Sequence, residues 1–451
     1  MKKTVVCVAC SFPPSSVSGS HRTRAVVRYL PSFGWRPIVV APQLSPEEGR
    51  DDSLLVGLPP NLVVYRTRAP QLLSWGNRMR GRIRRLLRSS GEQGDSPRTK
   101  PPSGGERRDW IDWASWWLQM PDLSSGWLPW GVAAALDALN RYRGVAVYSS
   151  APHWTAHLVG WLASRIGNRP WIADFRDPWR GNPFRKLPYE SLNRLDCWLE
   201  RQVVEGADRV ICNSRQVQAD FEGRYPHLNG RFTTIPNGFD PEDYAGLLED
   251  RPVGRDCLLL THAGLFYGPR RPHALLEAVR LLGEQGVGGR PIRIQLIGPR
   301  TYEGRPLESI AADFGVASRV LVRGEVPHRR VLEALAGSDA LLLVGFSGQG
   351  AELQVPGKLF EYLGVGRPIL ALAPREGAIA DVLGQSAAPS ELCDPDDPRE
   401  VAEAIRRLAE KLGQTAGDTA EPTRNSRFHR REQVARMAEL LDDVTFRSEI
   451  H

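Results

Sequence analysis

The sequence predicts an α/β protein built from two doubly wound domains in tandem. Short β-rich runs alternate with helical patterns, which is the signature of a parallel sheet covered on both faces. The alternation occurs in two separate blocks, and the chain of 451 residues is about three times the usual domain size. Hydrophobic residues make up 41% and charged residues 25% of the chain, as is typical of soluble globular proteins.

The first block defines an N-terminal domain over residues 1–245. A helix with a basic and polar face is expected over residues 20–33. The expected strands are residues 4–9, 37–41, 62–66, 145–149, 171–174 and 209–213.

The second block defines a C-terminal domain over residues 246–425, with the join near residues 240–256. After a connector at 414–426, apolar residues at helical spacing predict a terminal helix that needs a packing partner. The expected strands are residues 257–263, 292–298, 320–324, 340–344 and 368–373, and the expected helices are 273–285, 329–336, 398–411 and 428–444.

The net charge of +7 comes from one segment and is not a signal for nucleic acid. Residues 78–108 hold ten Lys and Arg side chains against three acidic ones. Within this segment, residues 89–106 contain no aliphatic side chain, so we expect a disordered insertion. The stretch from Arg78 to Arg88 has interleaved apolar residues and is either a flexible solvated segment or a peripheral contact with an anionic membrane.

The six cysteines indicate a reducing compartment. They lack paired metal spacing, and although Cys7 and Cys10 form a CxxC, it lies at the first strand with no second pair, which disfavours redox and zinc chemistry. No apolar run reaches the length of a membrane span, and the apolar start is expected to be a buried strand and not a secretory signal. We therefore expect a cytoplasmic protein. If the stretch from Arg78 to Arg88 contacts an anionic membrane, the protein would attach peripherally to the inner face of the plasma membrane.

The most informative stretch reads Val-Pro-Gly-Lys-Leu-Phe-Glu-Tyr-Leu at residues 355–363. It predicts a loop, a short helix that stops near Gly366, and then a buried strand. Lys358 and Glu361 are three residues apart and share one helical face. A helix N-terminus with a lysine suits a diphosphate, and a carboxylate one turn later can accept both hydroxyls of a ribose. The alternative is an ordinary surface helix with one ion pair.

The turn after the first strand lies where doubly wound folds bind ligands. It contains Gly19, His21 and Arg22 but lacks the GxGxxG spacing of a dinucleotide site, which disfavours a nicotinamide or flavin enzyme. A small-residue loop with Gly19 still lets the backbone approach a sugar or phosphate closely. The alternative is a plain turn capped by a serine.

Two later segments place polar side chains at the same edge of the predicted sheet. His153 follows one strand, with His157 as the second choice one helical turn later, and His153 is the candidate for contact with the acceptor or transition state. Asp174, Arg176 and Asp177 end the next strand, and they form either an acceptor-binding group or a structural ion-pair cluster.

In the second block, a glycine turn with two arginines follows a strand and precedes a helix. Gly264 opens this turn, and Arg270 and Arg271 offer bidentate donors to a phosphate. Gly298 ends the next strand and is placed under a nucleotide base. A solvated basic turn is the alternative for the arginine pair.

Together these motifs resemble the retaining GT-B glycosyltransferases of the family 4 type, in particular a bacterial branch with versions of DFRDPW and PGKLFEYL. The matching segments are residues 171–179, 207–214, 235–240, 264–271 and 355–368. The resemblance implies two Rossmann-like domains that face a cleft, with the last helix, within residues 428–451, packed back on the first domain.

The resemblance also implies roles for individual residues. It places Arg271 or Arg270 together with Lys358 on the donor diphosphate and Glu361 on the ribose. No metal or other cofactor is implied, because basic side chains and a helix N-terminus neutralise the leaving group. With the candidates above, the predicted donor-binding set is Gly264, Arg270, Arg271, Gly298, Lys358, Leu359 and Glu361, and the predicted catalytic set is His153, Arg271 and Lys358. The predicted acceptor-binding set is Gly19, His21, Arg22, Asp174, Arg176 and Asp177.

One position departs from the family pattern. Where that pattern has a glutamate eight residues before Glu361, this sequence has Leu353, with Glu352 one residue earlier. Backbone N–H groups near residues 348–350, or Gln354, are the substitutes available for recognising hydroxyls of the donor sugar.

The sequence therefore favours an enzyme that moves a sugar from a nucleoside-diphosphate sugar to a hydroxyl, with retention and without a metal. The acceptor classes are a glycan, a lipid-linked saccharide or a small natural product, which suggests a place in polysaccharide or cell-envelope biosynthesis. The alternatives are a catalytically silent GT-B-like module that binds a glycan or protein, and a GT-B sugar-nucleotide epimerase.

Overall fold

The computed structural model describes residues 2–45, 48–70, 113, 115–244, 246–247, 256–414 and 422–450. The insertion expected at 89–106 and the basic stretch between Arg78 and Arg88 lie outside these residues. So does most of the join expected between the domains. Among the described helices, none combines the length and apolar character that crossing a membrane requires.

The N-terminal sheet has seven parallel strands in the order β3-β2-β1-β4-β5-β6-β7. The order reverses at β1, which opens a crevice at the carboxyl ends of β1 and β4. The strands are β1 Lys3–Ala9, β2 Trp35–Pro42, β3 Val63–Thr67, β4 Gly144–Ala151, β5 Trp171–Phe175, β6 Arg209–Cys212 and β7 Phe232–Thr234.

Helices cover both faces of this sheet. They are α1 Gly19–Tyr29, α2 Leu128–Arg141, α3 Thr155–Gly167, α4 Glu190–Gly206 and α5 Arg215–Arg224, with short 3₁₀ turns at Leu30–Phe33, Asp52–Leu55, Ser125–Trp127, Pro226–Leu228 and Pro241–Tyr244.

The C-terminal sheet has six parallel strands in the order β12-β9-β8-β13-β14-β15. A small antiparallel hairpin, β10 and β11, follows β9. The strands of this half are β8 Leu258–Ala263, β9 Ile292–Ile297, β10 Thr301–Tyr302, β11 Arg305–Pro306, β12 Val320–Arg323, β13 Ala340–Val344, β14 Ile369–Leu372 and β15 Ser390–Cys393.

The remaining helices cover the second sheet and return to the first. They are α6 His273–Leu282, α7 Leu307–Asp313, α8 His328–Ala336, α9 Lys358–Val365, α10 Ala378–Gly384, α11 Pro398–Gln414 and α12 Arg430–Ile450, with 3₁₀ turns at Ala317–Arg319, Ala351–Leu353 and Pro422–Phe428.

Two doubly wound domains with parallel sheets confirm the predicted fold class. Two edge strands were not predicted from the sequence. β7 has only three residues, and β15 alternates buried with half-buried positions. In β15, Glu391 pairs with Arg407 and Lys411. Neither strand has the continuous apolar run that marks an interior parallel strand.

The last helix, α12, packs against α1 and not against the domain that precedes it in the chain. Val434, Met437 and Leu441 are buried in one cluster with Val26 and Tyr148 of the first domain. Before α12, the chain returns to the first domain and passes beside the segment around Phe239, which leaves that domain. Phe239 N–H donates to Phe428 O and Arg430 N–H donates to Phe239 O, each at 3.0 Å. The two crossing segments are therefore hydrogen-bonded to each other.

The arginine-rich face of α1 is buried, although the sequence predicted a basic and polar helix face there. Arg22 makes a bidentate pair with Asp174, with Nε 2.7 Å from Oδ2 and Nη2 2.8 Å from Oδ1. Arg22 also donates to the carbonyl oxygens of Ile235 and Pro236. Arg24 donates to the carbonyl oxygen of Leu54. These arginines satisfy carbonyl groups of loops that have no strand partner.

We predict that Asp174→Asn lowers the free energy of unfolding by about 3–5 kcal/mol, because it leaves the Arg22 guanidinium buried without a counter-charge. Asp313→Asn removes the exposed Arg305–Asp313 pair and should cost at most about 1 kcal/mol. Urea unfolding followed by tryptophan fluorescence measures both. Equal losses in the two variants would contradict the assignment of Arg22–Asp174 as a stabilising pair.

Candidate active site

A cleft of about 1000 Å³ lies between the carboxyl edges of the two sheets. Both domains contribute, and the cleft holds most of the residues that the sequence predicted for a site. The N-terminal side contributes His21, Arg22, Arg176 and Asp177, and the C-terminal side contributes Gly264, Arg270, Gly298, Gln354, Lys358 and Glu361.

Lys358 is the first residue of α9, and its ammonium group rests on a buried histidine. Its Nζ lies 3.2 Å from His262 Nε2, and His262 Nδ1 lies 2.9 Å from the carbonyl oxygen of Leu342. Because a carbonyl oxygen can only accept, Nδ1 carries the proton and Nε2 accepts from Lys358. Burial and the charge of Lys358 hold the pKa of His262 well below its ordinary value, so the imidazole is neutral.

The environment of Lys358 disfavours its charge. Burial lowers its pKa from 10.5 to about 7, and the nearby charge of Arg270 acts in the same direction, against a smaller opposing effect of Glu361. A diphosphate bound beside Nζ would favour the charged form and reverse this shift. Binding of a diphosphate beside Lys358 is therefore expected to be coupled to protonation of its side chain.

Two glycines at strand ends leave room for this arrangement. Gly264, directly after β8, has φ +131°, and a Cβ there would lie 3.0 Å from Lys358 Nζ. Gly298, directly after β9, has φ +138°, and a Cβ there would lie 2.7 Å from Gly264 O. Both positions combine a backbone conformation that favours glycine with a close approach.

Arg270 supplies a second cation to the cleft. Its side chain is 7% exposed, and the guanidinium carbon lies 5.1 Å from the ring centres of Phe184 and Tyr267 and 5.7 Å from that of Phe346. Its Nε atom is buried and has no partner within the described structure. An arginine held close to three aromatic rings, with an unsatisfied Nε donor, is suited to an anionic ligand.

Arg271, which was placed in the catalytic set from the sequence, lies elsewhere. Its side chain is 55% exposed and pairs with Asp396 at 3.3 Å. It lines a separate, smaller pocket together with His273 and Phe314. Successive residues of this turn point to opposite sides, so Arg270 is the arginine that reaches the cleft.

Glu361 lies one turn into α9 and is paired with a histidine. Its Oε1 lies 3.2 Å from His328 Nε2 at the start of α8, and this hydrogen bond raises the pKa of His328. Burial raises the pKa of Glu361, but the hydrogen bond from His328 and the charges of His328 and Arg430 outweigh it, so the pKa is lowered on balance. The carboxylate is ionised at neutral pH.

His21 brings the first domain to this cluster. Its ring centre lies 5.6 Å from that of His328, so the two rings face each other across the domain boundary. Burial and the charge of Arg430 lower the pKa of His21 to about 4. At neutral pH, a neutral ring from the first domain therefore meets the His328–Glu361 pair of the second.

Arg176 and Asp177 line the opposite wall. Arg176 Nη2 donates to the carbonyl oxygen of Pro152, while its Nε is buried with no partner in the described part of the chain. Burial raises the pKa of Asp177, and the charges of Arg176 and Arg270 oppose that rise. Each domain thus contributes to the cleft lining an arginine whose buried Nε has no partner among the described residues.

Three predicted site residues are buried outside the cleft lining. Asp174 is fully buried and committed to Arg22, so it does not reach an acceptor. Leu359 is fully buried in the hydrophobic core of the second domain. Gly19 is buried as well, and a Cβ there would lie 2.5 Å from Arg176 Nη1, so its role is to make room for that guanidinium.

The structure does not bring His153 into the cleft either. Its ring is exposed and makes a 2.7 Å contact from Nδ1 to Ser124 Oγ. His157, the second choice, is fully buried, lies 2.8 Å through Nδ1 from Ser149 Oγ, and has a pKa lowered to about 3 by burial. His157 is therefore a core residue.

Several contributors to the site were missed by reasoning from the sequence. His262 lies inside an apolar strand, so nothing local marks it as functional. Arg430 comes from α12, which only tertiary packing brings to the cleft. His328 begins a helix after Pro327, and only its contact with Glu361 in the folded protein shows that it holds that carboxylate. Within the described ranges, no group of three or more His, Cys, Asp or Glu side chains is arranged to hold a metal ion.

Two models of protein families match the chain, one for each domain. Residues 96–243 match Glycosyltransferase Family 4, and residues 258–411 match Glycosyl transferases group 1. Together with the fold, these matches define a glycosyltransferase of the GT-B architecture.

Particular relatives agree with this class. The D-inositol 3-phosphate glycosyltransferase of Corynebacterium urealyticum is 25% identical over 310 residues, which are 63% of this chain and 69% of the relative. The protein of the same name from Xylanimonas cellulosilytica is 24% identical over 208 residues, 42% of this chain and 48% of the relative. The chain thus matches less than half the length of the second relative.

Solved structures show the same fold over nearly the whole chain. Sucrose-phosphate synthase from Thermosynechococcus elongatus superposes with a TM-score of 0.65 at 15% identity, covering 98% of this chain and 99% of that one. Anabaena Alr3699/HepE in complex with UDP-glucose gives a TM-score of 0.62 at 15% identity, covering 98% of this chain and 100% of that one.

We predict that the affinity for a nucleoside diphosphate falls as pH rises above about 7. Below pH 7, Lys358 is already charged, so affinity stays level; above it, binding must recharge the lysine, and the dissociation constant rises by up to about tenfold per pH unit. Calorimetry at pH 8 in two buffers of different ionisation enthalpy should show uptake of close to one proton. A constant affinity from pH 7 to 9 without proton uptake would contradict the role of Lys358.

Proposed function

We propose that this protein transfers a sugar from a nucleoside-diphosphate sugar to a hydroxyl group of its acceptor. The observation that carries the proposal is the convergence of Arg270, Lys358 and Glu361 in one cleft. Two cations suit a diphosphate, and an ionised carboxylate one helical turn from the lysine suits the two hydroxyls of a ribose. The family-level resemblance assigns the same roles to Lys358 and Glu361.

In this proposal the diphosphate leaves with its charge neutralised by the protein. Arg270 and Lys358 donate to its oxygens, and the first N–H groups of α9 point to the same place. The transfer then needs no metal ion, so activity should persist in EDTA. We propose retention of the anomeric configuration, with attack of the acceptor hydroxyl on the face that the diphosphate leaves.

The acceptor side is formed by the first domain. His21, Arg176 and Asp177 line it, and the partnerless Nε of Arg176 suits an oxygen-rich acceptor. We propose a glycan, a lipid-linked saccharide or a small natural product as acceptor. The two relatives are named for D-inositol 3-phosphate, which makes that compound a direct first candidate to assay. His153 is given no part in this proposal, because its ring lies outside the cleft.

The proposal is tested first by nucleotide binding. The thermal unfolding midpoint is measured with UDP, GDP, dTDP, CDP and ADP in excess and EDTA present, because a ligand that binds only the folded state stabilises it. One nucleotide should raise the midpoint, and the matching sugar nucleotide should release that nucleotide on incubation with acceptors. Failure of all five to bind would favour a silent GT-B-like module.

The neighbouring arginines provide a matched pair of variants. Arg270→Ala should weaken binding of the identified nucleotide by about 10- to 150-fold, since hydrogen bonds to charged groups contribute about 1.5–3 kcal/mol. Arg271→Ala removes the same side chain one position later and should change the dissociation constant by less than about twofold. The reverse order of effects would place Arg271, and not Arg270, on the diphosphate.

A further inference from the structure

We propose that Phe184, a residue of the first domain, positions the guanidinium of Arg270 for the donor diphosphate, so that both domains take part in donor binding. This inference rests on the proposed function and adds a positioning residue to it. Phe184 lies in the loop between β5 and α4, and it lines the cleft. The guanidinium carbon of Arg270 lies 5.1 Å from the centre of its ring.

Phe184 reaches across the domain boundary into an aromatic group of the second domain. Its ring centre lies 4.8 Å from that of Tyr267, in the turn after β8, and 5.5 Å from that of Phe346, after β13. Separations of this size are the ones that aromatic pairs prefer. The same three rings lie beside the guanidinium of Arg270. One of the rings that hold this arginine is therefore supplied by the first domain.

The loop that carries Phe184 is anchored within the first domain on both sides of that residue. Before it, the backbone N–H of Arg180 donates to Glu200 Oε2 at 2.8 Å. After it, Arg185 pairs with Asp196, with Nε 3.0 Å from Oδ2 and Nη2 2.6 Å from Oδ1. Both carboxylates are buried residues of α4. Phe184 is therefore presented from a fixed position, as a positioning contact requires.

The same loop contacts the second domain at another place. A Cβ on Gly350 would lie 2.6 Å from Gly181 O, and Leu353 is buried in the hydrophobic cluster of the first domain, with its Cδ1 facing Gly181. Leu353 is the residue that departs from the family pattern, and its apolar side chain suits this contact. Two separate contacts thus hold the Phe184 loop against the second domain.

The contacts of Arg270 leave hydrogen-bond donors for a ligand. Its Nη1 donates to the hydroxyl of Tyr267, and its Nε is buried without a partner among the described residues. An aromatic ring attracts a nearby cation without using the N–H donors of that cation. These donors remain for phosphate oxygens, to which a guanidinium binds strongly. Removing the ring of Phe184 should let the guanidinium adopt other orientations and so weaken binding of the diphosphate.

The test is a double-mutant cycle between Phe184 and Arg270. Calorimetry gives the dissociation constant of whichever of UDP, GDP, dTDP, CDP and ADP stabilises wild type most, for wild type, Phe184→Leu, Arg270→Ala and the double variant. The leucine keeps an apolar side chain without a ring, whereas Phe184→Tyr keeps the ring. Phe446→Leu, at a phenylalanine of α12 that is 63% exposed, is the matched control. The thermal unfolding midpoint without nucleotide reports folding, and Phe184→Met replaces the leucine variant if the leucine lowers that midpoint.

We expect Phe184→Leu to raise the dissociation constant by about three- to tenfold, as for one partly desolvated contact between a cation and a ring. Phe184→Tyr and Phe446→Leu should stay within about twofold of wild type. In the Arg270→Ala background, Phe184→Leu should add less than about twofold, because the group that it positions is absent.

Three results would overturn the inference and leave the proposed function standing. They are an equal loss from Phe184→Leu in both backgrounds, a loss in Phe184→Tyr as large as that in Phe184→Leu, and no loss in either variant. If wild type binds none of the nucleotides, the proposed function fails and the inference fails with it.

Discussion

The site depends on a buried ammonium group that rests on a neutral imidazole. Lys358 Nζ contacts His262 Nε2 at 3.2 Å, and the imidazole is oriented by the carbonyl oxygen of Leu342. Because the partner is neutral, the positive charge of Lys358 is not compensated where it sits. The unfavourable free energy of this buried charge would be offset by a diphosphate bound beside Nζ. Strongly perturbed pKa values are common at functional sites.

The rest of the cleft supports that arrangement. Gly264 and Gly298 let two strand ends approach Lys358 without a side chain between them. Arg270 adds a second cation that is fixed by aromatic rings, and Glu361 is held by His328. On the side of the first domain, Arg430 of α12 lines the cleft and pairs with Asp240 at 3.2 Å. Arg270 and Lys358, the two cations that our proposal assigns to the donor, thus both belong to the second domain.

Much of this could be predicted from the sequence, and the failures have physical causes. The interior strands were found because parallel strands are continuous apolar runs, whereas β7 and β15 are short or mixed edge strands. Lys358 and Glu361 were found because a proline-glycine entry and helical spacing place them on one face. Arg270 could not be separated from Arg271, since only the turn geometry decides which side chain enters the cleft. The burial of Arg22 and Arg24 was missed because their partners lie far away in the chain.

The most direct test of the account is a crystal structure of the protein with the nucleoside diphosphate that stabilises it. We expect phosphate oxygens within about 3 Å of Arg270 and Lys358, the usual length of a charge-assisted hydrogen bond, and ribose hydroxyls on Glu361. A diphosphate bound beside Arg271 and Asp396, or away from α9, would contradict the central claim that the buried lysine forms the donor site.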